Sequence, residues 1–157
     1  MSLFRNETIV NPSIVGVTSG ANAATGNVGE LVDSIVAVGS AVGLTTATAA
    51  NVTSISLSAG DWDVSGNVNF TAGSATTAEG ALWVIGVNTI SATIPTTGAE
   101  VQLATTAVTT TSFKLGASTT SLRINVSATT TVYLVAEATF TAGTVGAYGH
   151  LRARRVR

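Results

Sequence analysis

One histidine, three aspartates and no cysteine bound the chemistry this chain can do. Without cysteine, thiolate catalysis, disulfides and zinc-thiolate sites are excluded. His150 can serve as a general base only by pairing with a serine and with Asp33, Asp61 or Asp63, the arrangement in which a carboxylate orients the imidazole that deprotonates a hydroxyl. Composition permits such a triad, but no Gly-x-Ser-x-Gly elbow occurs, and His150 lies in a β-type run between Gly149 and Leu151. An exposed or interfacial histidine is expected instead. Asp61-Trp-Asp63-Val-Ser65-Gly66 matches the opening of a calcium loop, with oxygen ligands at alternate positions before a turn glycine. The twelfth position, which should hold a bidentate Glu, is Ala72, and the segment alternates like a strand. Asp61 and Asp63 therefore read as the solvated face of an edge strand, where charge discourages sheet-to-sheet aggregation. The glycine-containing stretches lack a Walker lysine pattern, and the few acidic residues define no glycosidase pair. The chain is expected to be non-enzymatic, with no catalytic residue, metal ligand or cofactor.

Residues suited to adhesion cluster at the end of the chain. Five of the seven basic residues, Arg123, Arg152, Arg154, Arg155 and Arg157, fall from position 123 onward. Along residues 144–157, period two places Tyr148, His150, Arg152 and Arg154 on one face, opposite Val145, Ala147, Gly149, Leu151 and Ala153. An aromatic and cationic stripe on an edge or outer strand follows. Arginine suits interfaces because its planar fork makes bidentate contacts while its stem packs on apolar surface. Arg5, Tyr148, His150, Arg152, Arg154 and Arg155 are the residues expected to contact a partner; a solvated terminus that keeps the last strand soluble is the alternative. A net charge of −1 gives no global attraction to nucleic acid or to an anionic membrane, and nucleic-acid readers carry broader basic surfaces with several stacking aromatics.

The elements that must position these residues are strands. At 157 residues a single domain with a sizeable core is expected. Only 10% of residues are charged, against about 25% in an ordinary soluble domain, so the surface must be largely uncharged Ser, Thr and Gly. A 45% hydrophobic content with two prolines argues against disorder. The cleanest alternation runs over 61–70, where Trp62, Val64, Val68 and Phe70 oppose Asp61, Asp63, Ser65, Asn67 and Asn69. Thr53, Ile55 and Leu57 share a face just before it, and Ala59-Gly60 supplies a turn, which predicts two neighbouring antiparallel strands. Leu122, Ile124 and Val126 repeat the pattern, with Arg123 and Asn125 pointing out. Further strands are predicted over 30–38, 41–46, 81–87, 100–104 and 112–115. The runs 81–87 and 132–140 are apolar on both faces, as in strands covered twice; the second cover is either a loop or another subunit, and another subunit is the expectation. Eight to ten short strands at this spacing predict an all-β fold, an antiparallel β-sandwich resembling a jelly roll, over 29–157.

Residues 1–28 show no sustained period and read as an extended N-terminal arm or, alternatively, a mobile tail. Their first dozen residues lack the apolar core of a secretory signal, and no run reaches the roughly 20 apolar residues of a membrane helix. The expectation is release into the cytoplasm of the cell that makes the protein, with no membrane partner. Asn-x-Ser/Thr triplets at Asn6, Asn51, Asn69 and Asn125 are ordinary products of a Ser/Thr-rich chain.

Three blocks carry a family resemblance: Val52-Thr-Ser-Ile-Ser-Leu-Ser-Ala-Gly-Asp-Trp-Asp-Val64, Val132-Tyr-Leu-Val-Ala-Glu-Ala-Thr-Phe140, and Ala147-Tyr-Gly-His-Leu-Arg-Ala-Arg-Arg-Val-Arg157. Over roughly residues 30–157 the chain resembles small β-sandwich virion proteins of tailed bacteriophages, described as head decoration, head-fibre or tail-fibre components. The resemblance implies a trimerising sandwich without enzymatic activity. It points to a capsid decoration or cement protein on the capsid exterior, made in the host bacterial cytoplasm, with the major capsid protein or another virion protein as partner. The alternative is a receptor- or carbohydrate-binding head of a phage fibre, for which Trp62 or Trp83 would have to be exposed.

Overall fold

The computed structural model describes residues 18–72, 76–78, 82–104, 108–110 and 114–157. Its strands are β1 (Leu31–Val36), β2 (Val42–Leu44), β3 (Ala50–Leu57), β4 (Gly60–Ala72), β5 (Thr76–Ala78), β6 (Leu82–Asn88), β7 (Glu100–Ala104), β8 (Val108–Thr110), β9 (Lys114–Ser118), β10 (Leu122–Val126), β11 (Thr130–Ala138) and β12 (Val145–Arg155). One 3-10 turn, Val38–Ser40, joins β1 to β2.

Pairing is nested. β1 pairs with β12, β3 with β11, β4 with β10 and β6 with β7, all antiparallel, as in one long hairpin folded back on itself. That hairpin is then rolled: β12 also pairs with β4, and β11 with β6. Two sheets result, β1-β12-β4-β10 with β2 and β9 attached, and β3-β11-β6-β7; a separate pair joins β5 to β8. This is the jelly-roll order of an antiparallel sandwich.

The core lies between the sheets, and period two fills it. Trp62, Val64, Val68 and Phe70 of β4 and Ala147, Leu151 and Ala153 of β12 meet Ile55, Leu57, Trp83, Ile85, Val87, Val132, Leu134 and Ala136 from the other side. Phe70 and Trp83 bridge the sheets with ring centroids 5.0 Å apart at a tilt of 58°, a favoured aromatic geometry. At the sandwich edge, the Ser34 and Thr53 hydroxyls share a 2.6 Å hydrogen bond between β1 and β3.

Three expectations are corrected by this topology. The 53–57 and 61–70 runs are not paired neighbours: β3 belongs to one sheet and β4 to the other. Gly60 makes the crossing, with φ +150, where a Cβ would strike the Arg155 guanidinium. The terminal strand is not an edge or outer strand, because β12 sits between β1 and β4. The second cover on β6 is a loop of the same chain: Pro95 is buried, and it lies so close to Gly86 that a Cβ there would fall 2.7 Å from its Cγ. Val84 and Val135, buried but outside the central cluster, belong to that roofed outer face. Of the arm expected over 1–28, residues 1–17, including Arg5, lie outside the described residues. Residues 18–20 bend, 21–24 are irregular and 25–29 turn, and the chain enters the fold where the Gly29 N–H donates to the Arg155 carbonyl at 2.9 Å.

Candidate functional site

The outer face of the six-stranded sheet gathers most of the residues expected to act. Register sets them in rows. Leu31, Arg154, Asp63 and Arg123 align across β1, β12, β4 and β10; Asp33, Arg152 and Ser65 form the next row; Ile35, His150, Asn67 and Ser118 the next; and Tyr148 lies opposite Asn69. Tyr148, His150, Arg152 and Arg154 do share one face of β12, with the two arginines exposed and the tyrosine and histidine half-buried.

Arg155 does not belong to that face. Its parity is that of Val145, Ala147, Leu151 and Ala153, and its side chain is 5% exposed. The guanidinium donates from Nε to Glu30 Oε2 at 2.8 Å, from Nη1 to the Ala59 carbonyl at 2.8 Å and from Nη2 to Ser58 Oγ at 2.6 Å. It also stacks 4.2 Å above the Trp62 ring. With every fork position occupied, Arg155 fastens the end of β12 to the β3–β4 crossing and is withdrawn from any partner. Burial raises the Glu30 carboxyl, but the Gly26 N–H and the Arg155 guanidinium outweigh it and hold the pKa below the ordinary 4.5.

Asp61 is likewise not a solvated aspartate. It is 4% exposed, and it accepts from Arg123 Nε at 2.8 Å through Oδ1 and from Arg157 Nε at 2.8 Å through Oδ2. Hydrogen bonds from Arg123 and then Arg157 lower its pKa from 3.8 to about 2. A depressed carboxyl contributes stability that is complete above its unfolded pKa and is lost as pH falls through the folded value. Thermal stability is therefore expected to fall between about pH 4 and pH 2, and Asp61→Asn to flatten that limb in a pH series of melting curves. Equal slopes for the two proteins would remove Asp61 from the account. The calcium-loop likeness ends here: the segment is strand β4, Asp61 is spent on arginines, and among the described residues no group of three or more His, Asp or Glu is placed to hold a metal ion.

His150 Nε2 lies 3.1 Å from Asp33 Oδ2, so the histidine meets one of the carboxylates named for a triad. Among the described residues no serine hydroxyl joins this contact: the Ser65 hydroxyl nearby accepts from Arg152 Nε at 3.3 Å. His150 and Arg152 border a depression of about 460 Å³ with Ser65, Asn67 and Ser121, and a second of about 380 Å³ continues past Ser65, Ser121 and Arg152 to Arg154, Asp63 and Leu31. The arrangement is a polar trough able to accept hydrogen-bonding and anionic groups. Beside it, Leu31 and Ile35 leave 37% and 68% of their surface exposed. Trp62 and Trp83 are 0% and 1% exposed, so neither can stack on a sugar ring.

Sequence reasoning missed the two buried carboxylates, Glu30 and Asp61, and the arginines paired with them. For Arg155 the signal was available, because period two continues unbroken from Val145 to the inner face at 155. For Asp61 none was, since its partners lie on β10 and at the chain end, 62 and 96 residues away.

No protein family and no curated protein matches this chain. Among solved structures, the chain is weakly similar to the infectious bursal disease virus VP2 subviral particle, with a TM-score of 0.41 and 14% sequence identity over 80% of this chain and 30% of that one.

Proposed function

We propose that this chain is a non-enzymatic structural protein of a tailed-bacteriophage virion, a decoration or cement protein that binds the outer capsid surface and stabilises it. The observation that carries the proposal is the outer face of the six-stranded sheet, where exposed Arg152 and Arg154 lie beside half-buried Tyr148 and exposed Leu31 and Ile35. Arginine and tyrosine next to apolar side chains are what protein interfaces favour, and here they interrupt a surface poor in charge. Engagement of the Ser65 hydroxyl by Arg152 rather than by His150 supports adhesion over catalysis. The resemblance of the three sequence blocks to phage virion proteins supports the particle, and self-association as a homotrimer belongs to the same proposal. A protein that binds an assembled lattice better than its separated subunits stabilises the lattice by mass action.

The test is to mix purified protein with expanded capsids that lack it, then to follow co-sedimentation and the capsid melting temperature. Association with a raised melting temperature is expected, together with a mass in light scattering three times that of the chain. Absence of association under all salt conditions sinks the docking role, and a monomer sinks the trimer.

A further inference from the structure

We infer that the trough along β12 reads an extended acidic segment of a protein partner, one that presents carboxylates on residues i and i+2. The inference deepens the docking role proposed above and rests on it. Among the described residues, Arg123 and Arg157 are ion-paired with Asp61, and Arg155 with Glu30. Arg152 and Arg154 have no carboxylate of the described residues within ion-pair distance, and the described partner of Arg152 is the neutral Ser65 hydroxyl. Two guanidinium forks thus stand on one face of one strand with bidentate capacity unspent.

Their spacing and their flanks specify what fits. Residues two apart on a strand repeat at about 6.8 Å, and an extended partner chain repeats its side chains at the same interval. The two depressions share Ser65, Ser121 and Arg152, so the trough runs along β12 past both arginines. On β1, Asp33 is in register with Arg152; on β4, Asp63 is in register with Arg154. A carboxylate at Arg152 meets a like charge when displaced toward β1, and one at Arg154 when displaced toward β4, which favours a path for an anionic chain over β12 itself. Leu31, exposed at the Arg154 end, offers an apolar contact that a segment with a following apolar side chain can use. A polyphosphate fits less well: its continuous charge would run against Asp33 and Asp63, and the whole chain carries a net charge of −1.

The test is an amide-shift titration of the isotope-labelled full chain with blocked hexapeptides of identical composition that place two Asp either two apart or adjacent. An Asn-substituted peptide and hexathymidylate serve as further probes. Expected are saturable shifts confined to 63–67 and 150–154, about three-fold tighter binding of the i, i+2 peptide than of its isomer, and no saturation with the Asn peptide. Arg152→Gln with Arg154→Gln should abolish the shifts while leaving the melting temperature unchanged, both side chains being exposed, and Arg152→Lys should retain only part of the preference. Equal binding of the isomers, binding retained by the double variant, tighter binding of hexathymidylate, or no binding of any peptide each overturns the inference. The docking role fails on a separate measurement: wild-type protein that co-sediments with capsids yet ignores peptide spacing leaves the role standing and removes only this recognition rule.

Discussion

Gly149→Ala is expected to cost about 3 kcal/mol or more, while Gly43→Ala, also within a strand, is expected to be close to neutral. Gly149 sits in the middle of β12, between Val36 on β1 and Val68 on β4. A Cβ built there falls 3.0 Å from the Val68 Cα and closer still to the Asn67 carbonyl oxygen. Those atoms are backbone, and β4 is held from its other side by β9 and β10, so no rotamer change can relieve the overlap. Gly43 has nothing within 4 Å of the same built atom, and there the loss of unfolded-state freedom is the main effect. Urea unfolding followed by the fluorescence of Trp62 and Trp83 separates the two variants. A Gly149→Ala midpoint within error of the wild type would mean that β12 does not press against β4 as described.

The second large effect belongs to the buried guanidinium. Arg155→Ala is expected to destabilise by about 3 kcal/mol, because removing one partner of a buried pair leaves the other charge uncompensated. Glu30, 8% exposed in its side chain, would keep only the Gly26 N–H, and the Ala59 carbonyl and Ser58 hydroxyl would lose their donor. The Trp62 face would lose its cation as well. Replacing both partners, Glu30→Leu with Arg155→Met, is expected to recover most of the loss, since apolar groups of similar volume often serve a buried site as well as an ion pair does. Chemical unfolding of the two single variants and the double variant decides it. A loss below about 1 kcal/mol in Arg155→Ala would place the pair in effective contact with water.

Much of the strand inventory was legible because a strand's faces depend only on residues two apart. The alternation over 62–70 is that of β4, whose apolar face is buried while the other face is exposed or half-buried, with Asp61 the exception, and 122–126 is that of β10. Doubly apolar 81–87 marked a strand roofed on both sides, β6, without saying that the roof is Pro95 of its own loop. Along β12, parity separated Tyr148, His150, Arg152 and Arg154 from the core, and the same parity assigns Arg155 inward.

By itself, then, the amino-acid order determined an all-β sandwich, the face on which each side chain of its regular strands stands, and a surface short of charge except near its end. Only the tertiary structure decided which strands are neighbours: that β3 and β4 part to opposite sheets, that β12 lies inside its sheet, and that Asp61 and Glu30 neutralise three of the arginines. Alternation is written into adjacent residues, but strand pairing in a rolled hairpin joins segments as far apart as Leu31 and Arg154. Their meeting depends on loop closure and on the mutual fit of both sheets around one core, which no local pattern encodes.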